Sequence, residues 1–133
     1  MSPRTLFISR LLGLYLILAS LSMVAHPQAT ISTVAALVHN PPVMLVVSIL
    51  TLVAGLAIVL SHNVWSGGAL PVVVTLSGWL MLLKGLIFLL LPPEAHAAIF
   101  VAVRYAELFY LYPSMAFLFG AYLTYGGFAK LPS

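Results

Sequence analysis

Three charged residues stand where charge is costly. Lys84 lies deep inside the apolar run 70–91, and Arg104 and Glu107 lie in the aromatic stretch RYAELFYLYPSMAFLFGAYLTY. An ionised side chain inside a bilayer is expensive, and such residues pair with one another or mark a ligand or ion site. Arg104 and Glu107 are three residues apart and share a face if that stretch is helical. Lys84 is seven residues before the end of its run. Glu107 is eight residues after Ile99 in the next one. At 1.5 Å per residue both would sit roughly 10–12 Å below the same membrane edge, so the two could meet, with Arg104 one turn further out. Two readings stay open. A Lys84–Glu107–Arg104 network could fix helix register, because breaking a buried pair costs on the order of 3–5 kcal/mol. Alternatively, the cluster contacts an ion or a substrate headgroup, since two cations against one anion leave a net positive charge.

A second polar set comprises Ser48, Thr51, His62, Asn63 and Thr75. Ser48, Thr51, Gly55 and His62 recur at nearly helical spacing, which suits either a polar path or a close helix-packing face. His62 and Asn63 open the turn HNVWSGG. They could relay a proton, bind a ligand or cap the preceding helix. His26, His39 and His96 are scattered and lack a ligand spacing, so no metal site is expected. Nor is a cofactor expected: no histidine lies in mid-span to hold haem. The chain has no cysteine and only two acidic residues, which removes thiol chemistry and carboxylate-pair catalysis. No phosphate-binding glycine loop or nucleophile elbow occurs. The sequence therefore points away from an enzyme.

The elements that must position these residues follow from composition. Of 133 residues, 63% are hydrophobic and 5% charged, with mean hydropathy +1.19. Soluble domains carry roughly 25% charged residues, so the solvent is expected to be lipid. The net charge of +3 is too dispersed for nucleic acid. The pattern predicts a single all-α domain, a polytopic four-helix transmembrane bundle with spans at about 5–25, 42–61, 70–91 and 94–125. The first span resembles a secretory signal. A cut after Ala25, however, would place Met23 where a small residue is preferred, and a retained span is expected. Tyr15 near its middle should need a hydroxyl partner on a neighbouring helix. Residues 26–42 suit a short interfacial helix, with Ile31, Val34, Ala35 and Val38 on one side. The fourth span should be continuous and kinked at Pro113.

Arg4, Arg10 and Lys130 lie at or near the ends, and the 26–42 and 92–98 connections carry no Lys or Arg. The positive-inside rule then puts both termini in the cytoplasm of a bacterial inner membrane, with Arg10 snorkelling to the interface.

One motif supports the same architecture. His62, Asn63 and Trp65, followed by Thr75, Gly78, Trp79, Leu82, Lys84, Gly85 and Pro92, form an H-N-x-W … T-x-x-G-W-x-x-L-x-K-G pattern. It resembles one found in a group of small bacterial four-span integral membrane proteins. The resemblance covers about a quarter of the chain and implies the fold but no activity. Small fluoride channels and DoxX-like proteins share the length and span count, but their motifs are absent.

Two functions from different classes fit. One is a homo-oligomeric channel or transporter for an ion, proton or small solute, lined by Lys84, Glu107, Arg104 and the Ser/Thr face. The other is a non-catalytic accessory or lipid-binding subunit of a larger membrane complex. Both take the lipid bilayer as partner.

Overall fold

A computed structural model of the chain describes residues 2–104 and 107–129. Those residues form six helices and no strand: α1 (Pro3–Ala25), α2 (Pro27–Val38), α3 (Pro41–Ser61), α4 (Ala69–Leu90), α5 (Pro93–Ala102) and α6 (Leu111–Ala129). Proline sets most of the starts. Pro3, Pro27, Pro41 and Pro93 each open a helix, where the missing N–H has no intrahelical partner to lose. Ser2 and Asn40 complete two of these starts by accepting from the backbone N–H groups of Thr5 and Val43. Gly67 and Gly68, with φ of +91° and +116°, make the turn into α4. Few side chains adopt that backbone without strain.

The helices pack as two pairs. α3 and α4 form a hairpin, and α1 pairs with α6 from the opposite end of the chain. α1 also touches α4, while α2 lies against α3 and α5. The tight contacts are made at small residues. A side chain at Gly55 would meet Leu82 backbone, one at Gly85 would meet Leu52 backbone, and one at Gly13 would meet Thr124. In lipid, apolar burial gives little drive for association, so close backbone approach supplies much of it.

The buried apolar core comprises Ile8, Ile58, Leu70, Val74 and Leu123. These belong to the start of α1, the end of α3, the start of α4 and the end of α6, so the two pairs are joined at one end of the bundle. Most outward faces are apolar: Leu60 is 82% exposed and Leu90 77%. Three helices, α1, α3 and α4, are long and apolar enough to cross a membrane.

Three expectations are corrected. The stretch 94–125 is not one kinked helix. Its helix α5 ends at Ala102 and α6 starts at Leu111, and Arg104 takes a left-handed φ of +52°. Pro113 falls in the first turn of α6, where its ring clashes with no preceding helical carbonyl. The Tyr112 hydroxyl donates to the Val103 carbonyl and ties the two ends of the break together. Tyr15 does not reach for a neighbouring helix but faces outward at 64% exposure. Arg10 does not simply snorkel. Its Nε donates to the Gly127 carbonyl at 2.8 Å, and its guanidinium lies 4.7 Å over the Phe128 ring. A cation at this position also complements the negative end of the α6 dipole.

Candidate functional site

Lys84 sits on α4 six residues before its end, with its Nζ 5.9 Å over the Phe88 ring. Lys84 is exposed on the helix surface, and the cation and the ring share one face a turn apart. It lines a cavity of about 360 Å³ walled by α2, α3, α4 and α5. The other polar lining groups are Thr51 and His96, among apolar residues such as Met44, Phe88 and Phe100. His96 is committed elsewhere. Its Nε2 donates to the Phe88 carbonyl at 2.8 Å, which satisfies a free C-terminal carbonyl of α4. Its Nδ1 is buried without a hydrogen-bond partner.

The expected pairing of Lys84 with Glu107 is not formed. Among the described residues the sole ion pair is Arg104 Nε to Glu107 at 4.0 Å, with both side chains exposed at 69% and 73%. The physical reason is the end of α5 at Ala102: the depth comparison needs a helix that continues through Glu107. An exposed pair of this length contributes roughly 0–1 kcal/mol. Arg104 and Glu107 therefore sit together in a surface connection, apart from Lys84.

The Ser/Thr set divides. Ser48 is buried against α4 and donates to the Met44 carbonyl of its own helix at 2.7 Å. Together with Gly55 it belongs to the packing face of the hairpin. Thr51 is half-buried and reaches the Lys84 cavity. Asn63 is exposed, and its Oδ1 accepts from Trp65 Nε1 at 2.8 Å and Trp79 Nε1 at 3.4 Å.

His62 and Thr75 converge on a buried node that also recruits Thr5. His62 is 2% exposed. Thr5 Oγ1 lies 2.7 Å from its Nε2, and Thr75 Oγ1 lies 3.0 Å from its Nδ1. Val64 N–H donates to Thr75 Oγ1 at 3.0 Å, and that hydroxyl lies 2.8 Å from the Val64 carbonyl and 3.0 Å from Pro71's. Thr75 has one hydroxyl proton, and giving it to a carbonyl leaves the oxygen to accept from the imidazole. This count puts the proton on Nδ1, so Nε2 accepts from Thr5. Burial lowers the His62 pKa below its ordinary 6.5, and Arg4 pushes the same way; a hydrogen bond at its own backbone opposes them. Arg4 itself caps α3 by donating to the Ser61 carbonyl at 2.8 Å. His62 therefore does more than cap its helix: it ties α1 to both helices of the hairpin. Sequence reasoning missed Thr5 because its partner is 57 residues away.

Among the described residues no three metal-ligating side chains cluster. No family model, curated protein or solved structure matches the chain.

Proposed function

We propose that this chain is an integral membrane protein that binds an anion-bearing ligand within the bilayer, with Lys84 as the contact. The supporting observation is the setting of Lys84: a largely apolar cavity, with no carboxylate within ion-pair distance among the described residues. A cation placed there without a partner is destabilising unless something else supplies the negative charge. In this reading α6, 19 residues long and packed on α1, is a fourth span, α2 lies at the interface, and both termini are cytoplasmic.

The binding need not be an end in itself. Thr51 shares the Lys84 cavity. That favours a second reading, in which copies of the chain assemble and pass the ligand along the α3–α4 side. A subunit that delivers the ligand to a larger complex would use the same contact.

Lys84→Met tests the reading. The variant should insert, retain its helical signal and elute as the wild type does. Its affinity for anionic amphiphiles should fall about tenfold or more, since a charge-assisted contact contributes roughly 1.5–3 kcal/mol. Lys84→Arg should keep most of the binding. Equilibrium binding in lipid nanodiscs measures both, and unchanged affinity in Lys84→Met refutes the reading. Anion flux into proteoliposomes that disappears in the same variant would select transport over simple binding.

A further inference from the structure

We infer that the ligand at Lys84 is a single-chain amphiphile with a carboxylate head. The inference rests on the binding role proposed above. Lys84 belongs to two adjoining spaces. One is the cavity of about 360 Å³ that it shares with Thr51. The other is a groove of about 410 Å³ between α4 and α5, lined by Leu80, Leu83, Ile87, Phe88 and Ile99 beside Lys84 itself. Each volume is within the range of ligand sites, roughly 300–1,000 Å³.

The donor set selects the head. The cavity offers one ammonium with three N–H groups and one hydroxyl, from Thr51; His96 gives its Nε2 proton to the Phe88 carbonyl, so its unpartnered Nδ1 is an acceptor and adds no donor. It has no guanidinium fork and no second cation. A phosphate monoester carries up to two negative charges and is held by Arg forks, clustered cations or backbone amides. One lysine matches a singly charged carboxylate and leaves a phosphate under-neutralised in a low-dielectric site.

The groove selects the tail. Leu80, Leu83 and Ile87 recur at helical spacing on the exposed side of α4, and their lining of the groove is almost wholly apolar. Leu80 lies near the middle of the 22-residue helix, on the bilayer-centre side of Lys84. A chain that follows the groove inward from Lys84 keeps its head toward the membrane edge and its tail toward the centre. That is the orientation a fatty acid already has in a bilayer leaflet. A lipid with two chains would need a second groove beside the same lysine.

Photolabelling of the full chain in nanodiscs tests this. The probes are palmitate and lysophosphatidate, each carrying a diazirine in its acyl chain. Wild type should crosslink the palmitate probe at Leu80, Leu83 or Ile87, at least fivefold more than the lysophosphatidate probe at pH 7.4. Unlabelled palmitate should compete. Lys84→Met should lose at least fivefold of the labelling. Leu83→Trp, which fills the groove and leaves Lys84 in place, should lose it as well. Equal labelling in Lys84→Met overturns the inference. Lysophosphatidate labelling that exceeds palmitate and depends on Lys84 overturns the carboxylate assignment and leaves the binding role standing. No Lys84-dependent labelling by either probe removes both.

Discussion

Gly55→Leu is expected to separate α3 from α4 and to lower the thermal midpoint of the detergent-solubilised protein by roughly 10 °C or more. A Cβ at this position would stand 2.4 Å from the Leu82 nitrogen and 2.7 Å from its Cα. Those are backbone atoms, so no rotamer change relieves the clash and the helices must move apart. The contact is reciprocal: a Cβ at Gly85 would stand 2.6 Å from the Leu52 nitrogen. Moving α3 away at Gly55 therefore also opens the approach at Gly85. Overpacking typically costs about 1–3 kcal/mol, and a case that displaces two backbones belongs at the upper end or beyond it. Little hydrophobic drive would bring the helices back, because lipid solvates their faces as well as they solvate each other. Ala57→Leu places the same side chain on an exposed face of α3 and should change stability by about 0.5 kcal/mol or less. Thermal unfolding followed by circular dichroism measures both. If Gly55→Leu melts within 2 °C of the wild type, close backbone approach is not what holds this hairpin. The same substitution should impair ligand binding, since α3 carries Thr51 and α4 carries Lys84 to one cavity.

The helix boundaries were legible because the chain punctuates itself. Pro27, Pro41 and Pro93 open helices, and Gly67-Gly68 turns the chain. α3 and α4 fall within one residue of the spans read as 42–61 and 70–91. These signals are local, and local geometry suffices to read them. The end of α5 at Ala102 has a weaker signal. Pro113 suits a helix start as well as a kink, and only the backbone at Arg104 decides between them. That single difference undoes the Lys84–Glu107 pairing, because the depth comparison counted residues along a helix that is interrupted.

The pairing of α1 with α6, and with it the position of Arg10, was not legible at all. It brings together residues more than 100 apart in sequence, as in the Arg10 to Gly127 contact, and no periodicity records such a meeting. Lys84 was legible for the opposite reason. A cation in an apolar run is conspicuous without knowledge of its neighbours.

Acidification is expected to loosen the bundle through His62, with the loss starting below about pH 6.5. Burial holds the imidazole neutral in the folded chain. When the helix pairs separate, the ring meets solvent and regains its ordinary affinity for a proton. The open state therefore binds the proton first as pH falls. Stability from this group is fully present above 6.5, declines below it, and levels off once the folded-state pKa is passed. The groups around the ring can be named by element. α1 brings the Arg4 guanidinium, a fixed charge, and the neutral Thr5 hydroxyl, and α4 brings the neutral Thr75 hydroxyl. A proton arriving at Nε2 would oblige the Thr5 hydroxyl to reverse and donate to Ser2 Oγ, 2.9 Å away. The folded chain can accommodate that reversal, so the opposition to charge comes from burial and Arg4 rather than from a missing hydrogen-bond partner.

His62→Ala leaves two buried hydroxyls without the imidazole and should cost about 2–3 kcal/mol at pH 8. It should also flatten the melting-temperature profile between pH 6.5 and 5. Arg4→Gln should raise the folded-state pKa toward its ordinary value and weaken the pH dependence without abolishing it. Melting curves from pH 8 to 5 for the three proteins distinguish these outcomes. A His62→Ala profile that falls as steeply as the wild type's would place the acid sensitivity elsewhere. With the expected result, the node joining Thr5, His62 and Thr75 is an acid-sensitive latch between the two helix pairs. It lies at the end of the bundle where the apolar core is concentrated. Loosening it would free the pairs to move relative to one another while the α3–α4 hairpin, held by its glycines, keeps Lys84 and Thr51 at one cavity.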